Sequence, residues 1–197
     1  MAHLKKLLFA ALLSAFALPL VAQEPWDVHF KLTAGAISGA EASSLGQNKV
    51  YGLGIGGVYP LTLSGFGVIE AGYKWLPTVS VTTGTTRVED YSDFYFIGGQ
   101  YRHEIWRNGI YVQGGLRAVN TRTVRNVIGI GLGVGGGNSK TKLKGVRGTN
   151  VGWSLGAGFR LTDLWSVEVG LSNASLNNVA GASVGGTIAE VALCIHR

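Results

Sequence analysis

The chain has 197 residues, and its opening apolar run, Leu7 to Leu18 behind Lys5 and Lys6, is too short for a membrane helix and has the form of a secretory signal. Hydrophobic residues make up 46% and mean hydropathy is +0.25, yet no later apolar stretch approaches the ~20 residues of a transmembrane helix, so a helical membrane protein is excluded. The formal charge of +6 includes Lys5 and Lys6, and the remaining excess sits mostly in one segment, so it does not read as a nucleic-acid footprint.

Cleavage after Ala22 is the preferred reading, with the Ala15-Phe16-Ala17 triplet as an alternative; residues 1–22 are then a signal peptide and 23–197 one domain. Glycine accounts for 31 residues without the three-residue period of collagen, which disfavours helices and suits the crowded interior of a narrow barrel. A bilayer offers no water to backbone amides, so a spanning chain without apolar helices must be a closed sheet. Its mark is a series of segments of ~10 residues alternating between apolar and small or polar side chains.

Eight such segments follow in order. Trp26 to Ala36 places Val28, Phe30 and Leu32 on one face and Asp27, His29, Lys31 and Thr33 on the other. Lys49 to Tyr59 sets Tyr51, Leu53 and Ile55 against Gly52, Gly54 and Gly56, and Phe66 to Pro77 sets Ile69, Ala71, Tyr73 and Trp75 against Glu70, Gly72 and Lys74. Asp93 to Arg102 is apolar on both faces, with Tyr95, Ile97 and Tyr101 assigned outward; Ile110 to Val119 opposes Val112, Leu116 and Ala118 to Gln113, Gly115 and Arg117. Val151 to Leu161 alternates most regularly, Trp165 to Leu171 carries Glu168 on its polar face, and Gly185 to Ile195 carries Glu190. The expected fold is therefore an all-β, eight-stranded, antiparallel, up-and-down transmembrane barrel.

Connections alternate in length. Pro60 to Gly65, His103 to Gly109 and Thr162 to Leu164 are short and belong to the periplasmic rim; Ile37 to Asn48, Thr78 to Ser92, Asn120 to Asn150 and Asn173 to Val184 are long and belong outside. Aromatic residues gather at the inferred strand ends, as amphipathic rings do at membrane interfaces, whereas a soluble sandwich need not sort them so. Ile128 to Val134 also alternates, and with Lys140 to Gly148 it leaves a ten-stranded barrel open as the minority reading. Lys140, Lys142 and Lys144 make that stretch unfit for lipid and favour an extracellular extension hairpin or mobile loop.

Eight strands enclose a space that side chains just fill. The inward charges expected to form a lumen network are Lys31, Glu70, Lys74, Arg117, Glu168 and Glu190, joined by Asp27, His29, Arg160, Gln100, Arg102 and Gln113. Closure brings the first and last strands together, so Lys31 is expected to meet Glu190, Glu70 to meet Arg117, and Glu168 to meet Lys74. Arg122, Arg125, Lys140, Lys142, Lys144 and Arg147 form a basic extracellular loop suited to lipopolysaccharide phosphates or acidic surface partners. Cys194, the one cysteine, reads as a small buried filler. No phosphate loop, HExxH or paired-cysteine spacing occurs, so neither cofactor nor metal is expected.

By signal peptide, hairpin rhythm and glycine-rich inner face, the chain resembles the small outer-membrane β-barrels that include OmpA-like, OmpX-like and OmpW-like proteins. The resemblance implies residence in the outer membrane of a Gram-negative cell, contact with outer-membrane lipid and lipopolysaccharide, insertion by the outer-membrane assembly machinery, and a monomer. It also implies a structural, surface-interaction or narrow-channel (porin-like) role. Such barrels usually finish on an aromatic residue, whereas this chain ends Leu193-Cys194-Ile195-His196-Arg197, which bears on recognition by that machinery. Leu171 to Asn178 resembles the active-site neighbourhood of outer-membrane lipid A deacylases. The family's histidine position is Gly170 here and its glutamate position falls near Val184, so Ser172 lacks an activating base and no enzyme is expected.

Overall fold

Alternation with a period of two becomes strand throughout the described chain. The computed structural model describes residues 27–38, 48–106, 109–129, 139–142, 146–177 and 183–197. These form β1 (Asp27–Ser38), β2 (Lys49–Pro60), β3 (Gly65–Thr83), β4 (Thr86–Trp106), β5 (Ile110–Gly129), β6 (Ser139–Lys142), β7 (Val146–Arg160), β8 (Trp165–Asn177) and β9 (Ser183–His196), with no helix among the described residues. The expected signal segment, Trp26 and Lys144 lie outside the described residues.

Around the ring each strand pairs antiparallel with its neighbour in the order β1-β2-β3-β4-β5-β7-β8-β9, and β1 pairs with β9 from His29↔His196 to Ser38↔Thr187, which closes the sheet. The ring holds eight strands. β4 occupies one edge of β5 along its length, so β6, which pairs with Asn126 to Gly129, must lie on the edge where β7 pairs from Ile110 to Thr123. β6 therefore prolongs the β7 ladder and adds no strand to the ring, and the ten-stranded alternative does not form.

Two expected long loops are sheet instead. Thr78 to Ser92 folds as a continuation of β3 and β4, paired down to Thr83↔Thr86 around a turn in which Gly84 takes φ of 59°. Alternating β-branched residues such as Val79, Val81 and Val88 favour strand here, and glycine supplies the left-handed turn residue. Register shifts between Leu76 and Val79, where Pro77 removes a ladder donor; the two residues Pro77 and Thr78 there oppose the single residue Tyr91, which makes a bulge. Likewise β5 and β7 extend past the expected ends at Val119 and Val151.

Sidedness follows the sequence pattern. Leu32, Leu53, Ile69, Ile97, Leu116, Val151, Leu155, Val169 and Val191 are exposed on the outer wall, Leu116 at 64% and Val151 at 76%. On the inner wall Lys31, Glu70, Lys74, Arg102, Arg117 and Glu168 are buried. A protein with its leucines outside and its charges inside is inverted for water and correct for lipid. Tyr73, Tyr95 and Trp75 stack near the end from which the hairpins project, with ring centroids 4.8 Å apart for Tyr73 and Tyr95 and 5.8 Å for Tyr73 and Trp75, as expected of an interfacial girdle.

Candidate functional site

The interior is layered, and each layer follows from register. Toward the hairpin end, Ile37, Val50, Leu76, Phe94, Phe96, Val119 and Ile188 from β1, β2, β3, β4, β5 and β9 meet in a buried apolar cluster. On β4, apolar on both faces, Phe94 and Phe96 face inward and are buried, while Ile97 and Tyr101 face outward as expected.

Below this cluster lies the charged layer. Glu168 on β8 is held by four side chains: Lys31 Nζ at 2.7 Å, Arg102 Nη2 at 3.0 Å, the Tyr111 hydroxyl at 2.7 Å and Gln113 Nε2 at 3.0 Å, all donating to its carboxylate. Lys31 also reaches Glu70 at 3.0 Å, and Gln100 Nε2 donates to the same Glu70 oxygen at 3.1 Å. Arg102 donates from Nε to Gln113 at 3.0 Å and stacks over the Tyr111 ring, 4.1 Å from its centroid. Lys74 pairs with Glu190. Carboxylates at this depth are thus met by cations and hydrogen-bond donors, as burial demands.

Three expected pairings are corrected. Lys31 and Glu190 both face inward but do not meet, because the seam register puts Lys31 opposite Cys194 and Glu190 opposite Gly35, four residues further along β1. At ~3.3 Å per residue that offset is about 13 Å, beyond the reach of an ion pair. Glu70 takes Lys31 in place of Arg117, and Glu168 takes Lys31 and Arg102 in place of Lys74. Arg117 is 5% exposed, with its guanidinium 5.1 Å from the Phe96 ring centroid and no hydrogen-bond partner for Nε or Nη2. It borders a small void of about 30 Å³ with Gln100, Ser154 and Glu190.

At the opposite end, Asp27, His196 and Ser166 form a chain that sequence reasoning missed. His196 Nδ1 lies 3.0 Å from Asp27 Oδ2, and its Nε2 lies 2.7 Å from Ser166 Oγ. Period-two parity puts Asp27 on an inner wall, but His196 lies past the expected end of the last strand at Ile195, and nothing local indicates that three strands converge at one depth. Ser166 has no exposed surface and sits in the paired ladder of β8. The chain fastens β1, β8 and β9 where the barrel closes, beside reciprocal backbone bonds between Val28 and Arg197. Ser172 faces inward opposite Ser154, is 1% exposed, and has no hydrogen-bond partner for its hydroxyl. Cys194 is fully buried on the inner wall of β9. Among the described residues, no group of three or more His, Cys, Asp or Glu is arranged to hold a metal ion.

The six basic residues do not form one loop. Arg122 and Arg147 stand directly opposite each other on β5 and β7, and Arg147 is exposed. Arg125 faces the inner side, where Nε and Nη2 grip Asp90 at 2.7 and 2.8 Å. Lys140 and Lys142 belong to β6.

Comparison with known proteins matches residues 8–188 to the family described as outer membrane protein beta-barrel domain. No curated protein matches. Among solved structures, Ail, the attachment invasion locus protein of Yersinia pestis, crystallised in complex with the heparin analogue sucrose octasulfate, is 10% identical, with 87% of this chain and 99% of that one covered and a TM-score of 0.53. The N-terminal β-barrel domain of Pseudomonas aeruginosa OprF is 14% identical over 87% and 97% of the two chains, with a TM-score of 0.47. OprG from Pseudomonas aeruginosa is 11% identical over 87% and 92%, with a TM-score of 0.43. The likeness to Ail is one of fold.

Proposed function

This chain belongs to the outer membrane protein beta-barrel domain family, and we propose that within it the protein is a closed structural barrel whose projecting hairpins serve surface interaction among lipopolysaccharide. The observation that carries the closed reading is the apolar cluster of Ile37, Val50, Leu76, Phe94, Phe96, Val119 and Ile188, drawn from six of the eight ring strands and buried inside the barrel. An ion passing that wall would lose hydration against apolar side chains. The charged layer beneath supports the same reading, since its carboxylates are tied to cations and donors from other strands. The role is non-catalytic: Ser166 is enclosed, and Ser172 has no adjacent base. The short turns and both strand termini face the periplasm, and the β3–β4 and β5–β7 hairpins face the medium.

Planar-bilayer recording from purified, refolded protein tests this. Silence beyond the leak of protein-free bilayers is expected, and a steady single-channel current would replace the closed barrel with a narrow channel. Mobility of unboiled against boiled protein on a denaturing gel checks that the barrel in the recording is folded.

A further inference from the structure

The outer wall changes character abruptly along β5 and β7. Going toward the hairpin end, the lipid-facing cross-strand rows are Leu116 with Trp153, Ala118 with Val151, Asn120 with Thr149, and Arg122 with Arg147. The apolar band ends at the Ala118–Val151 row. Asn120 Nδ2 then donates to Thr149 Oγ1 at 2.9 Å, and the two arginines stand one row beyond. Four residues of strand separate the Ala118–Val151 row from the arginines, a rise of about 13 Å, less when projected on the membrane normal of a tilted strand, so the guanidinium pair lies beyond the hydrocarbon, at headgroup depth. Tyr73, Tyr95 and Trp75 on neighbouring strands mark the same interface.

Like charges directly opposite on adjacent strands repel unless something lies between them. The nearby counter-charge is Asp93, which stands opposite Arg122 on β4 and accepts a hydrogen bond from the Tyr73 hydroxyl at 3.3 Å. It can balance one arginine at most. Arg122 leans away from it, with Nη2 3.5 Å from the Tyr91 hydroxyl one row further out. Asp93, Arg122 and Arg147 together therefore carry a net positive charge on a surface that faces anionic headgroups.

We propose that Arg122 and Arg147 form a two-pronged site for a phosphate of lipid A in the surrounding leaflet. Planar guanidinium forks match phosphate oxygens bidentately, and one phosphate between them relieves the repulsion of the pair. The inference rests on the proposed exposure of the hairpin end to the medium. Labelling of Thr85→Cys by a membrane-impermeant maleimide on intact cells tests that placement separately, with the unsubstituted protein and its buried Cys194 as the background.

Native mass spectrometry of refolded protein mixed with bisphosphorylated lipid A tests the site. Wild type is expected to retain the lipid, and R122Q/R147Q to retain it about tenfold less, the scale of losing charge-assisted hydrogen bonds. Lipid A stripped of phosphate should bind wild type as poorly as it binds the variant, an arm that needs no substitution to fold. R122K/R147K keeps the charge and should lie between. Equal retention by wild type and R122Q/R147Q, equal retention of the phosphate-free lipid, or the same loss from R87Q on the distal hairpin would overturn the proposal.

Discussion

Lys31 and Glu168 form a 2.7 Å ion pair although their strands are not neighbours: β9 runs between β1 and β8. The residues that β9 turns inward at this depth, Ala192 opposite Thr33 and Glu168, and Cys194 opposite Lys31 and Ser166, are small and buried. Ammonium and carboxylate reach each other across that low stretch of wall.

Ala192→Leu should therefore wedge the pair apart. Overpacking of this kind typically costs about 1 to 3 kcal/mol, and the urea midpoint for loss of the heat-modifiable gel band should fall accordingly. Ala192→Ser, which adds little volume, should leave the midpoint near wild type.

Glu168→Gln should be more damaging than any other single change in the charged layer, because it strips the counter-charge from Arg102 and one of the two from Lys31. Removing one partner of a buried ion pair costs about 3 to 5 kcal/mol. Equilibrium unfolding from lipid vesicles reads that difference, and an unchanged midpoint would mean that water reaches the network freely.

Gly158 lies beneath the Tyr111 ring, where an added Cβ would meet ring atoms at 2.3 to 2.5 Å. Gly158→Ala should displace Tyr111 and break its 2.7 Å bond to Glu168, at a cost of about 1 to 3 kcal/mol. In G158A/Y111F the partner hydroxyl is already gone, so the glycine substitution should add less there than in wild type; equal effects in the two backgrounds would disconnect Gly158 from the network.

On the outer wall, Leu155→Arg introduces a charge near the middle of the apolar band and should cost roughly 2 to 4 kcal/mol. Leu63→Arg, in the fully exposed turn between β2 and β3, should change the unfolding midpoint little. If the two substitutions prove equally mild in vesicles, the outer face does not meet hydrocarbon.

Sidedness was legible in the sequence because alternation along a strand is local: whether Leu155 or Gly156 faces outward depends only on the parity of neighbours. The eight-stranded ring, the short turns and the outward apolar set follow from that rule, as does the inward placement of each charged residue of the proposed network. The extensions beyond Thr78 and Val119 were obscured by polar β-branched residues, which read as loop when lipid contact is taken as the mark of a strand. Which inward residues touch is a different matter. It depends on stagger between strands, fixed only when β9 docks on β1 and the ring closes. That stagger, and not composition, sets Lys31 opposite Cys194, gives Glu190 to Lys74, and brings Asp27, His196 and Ser166 to one place.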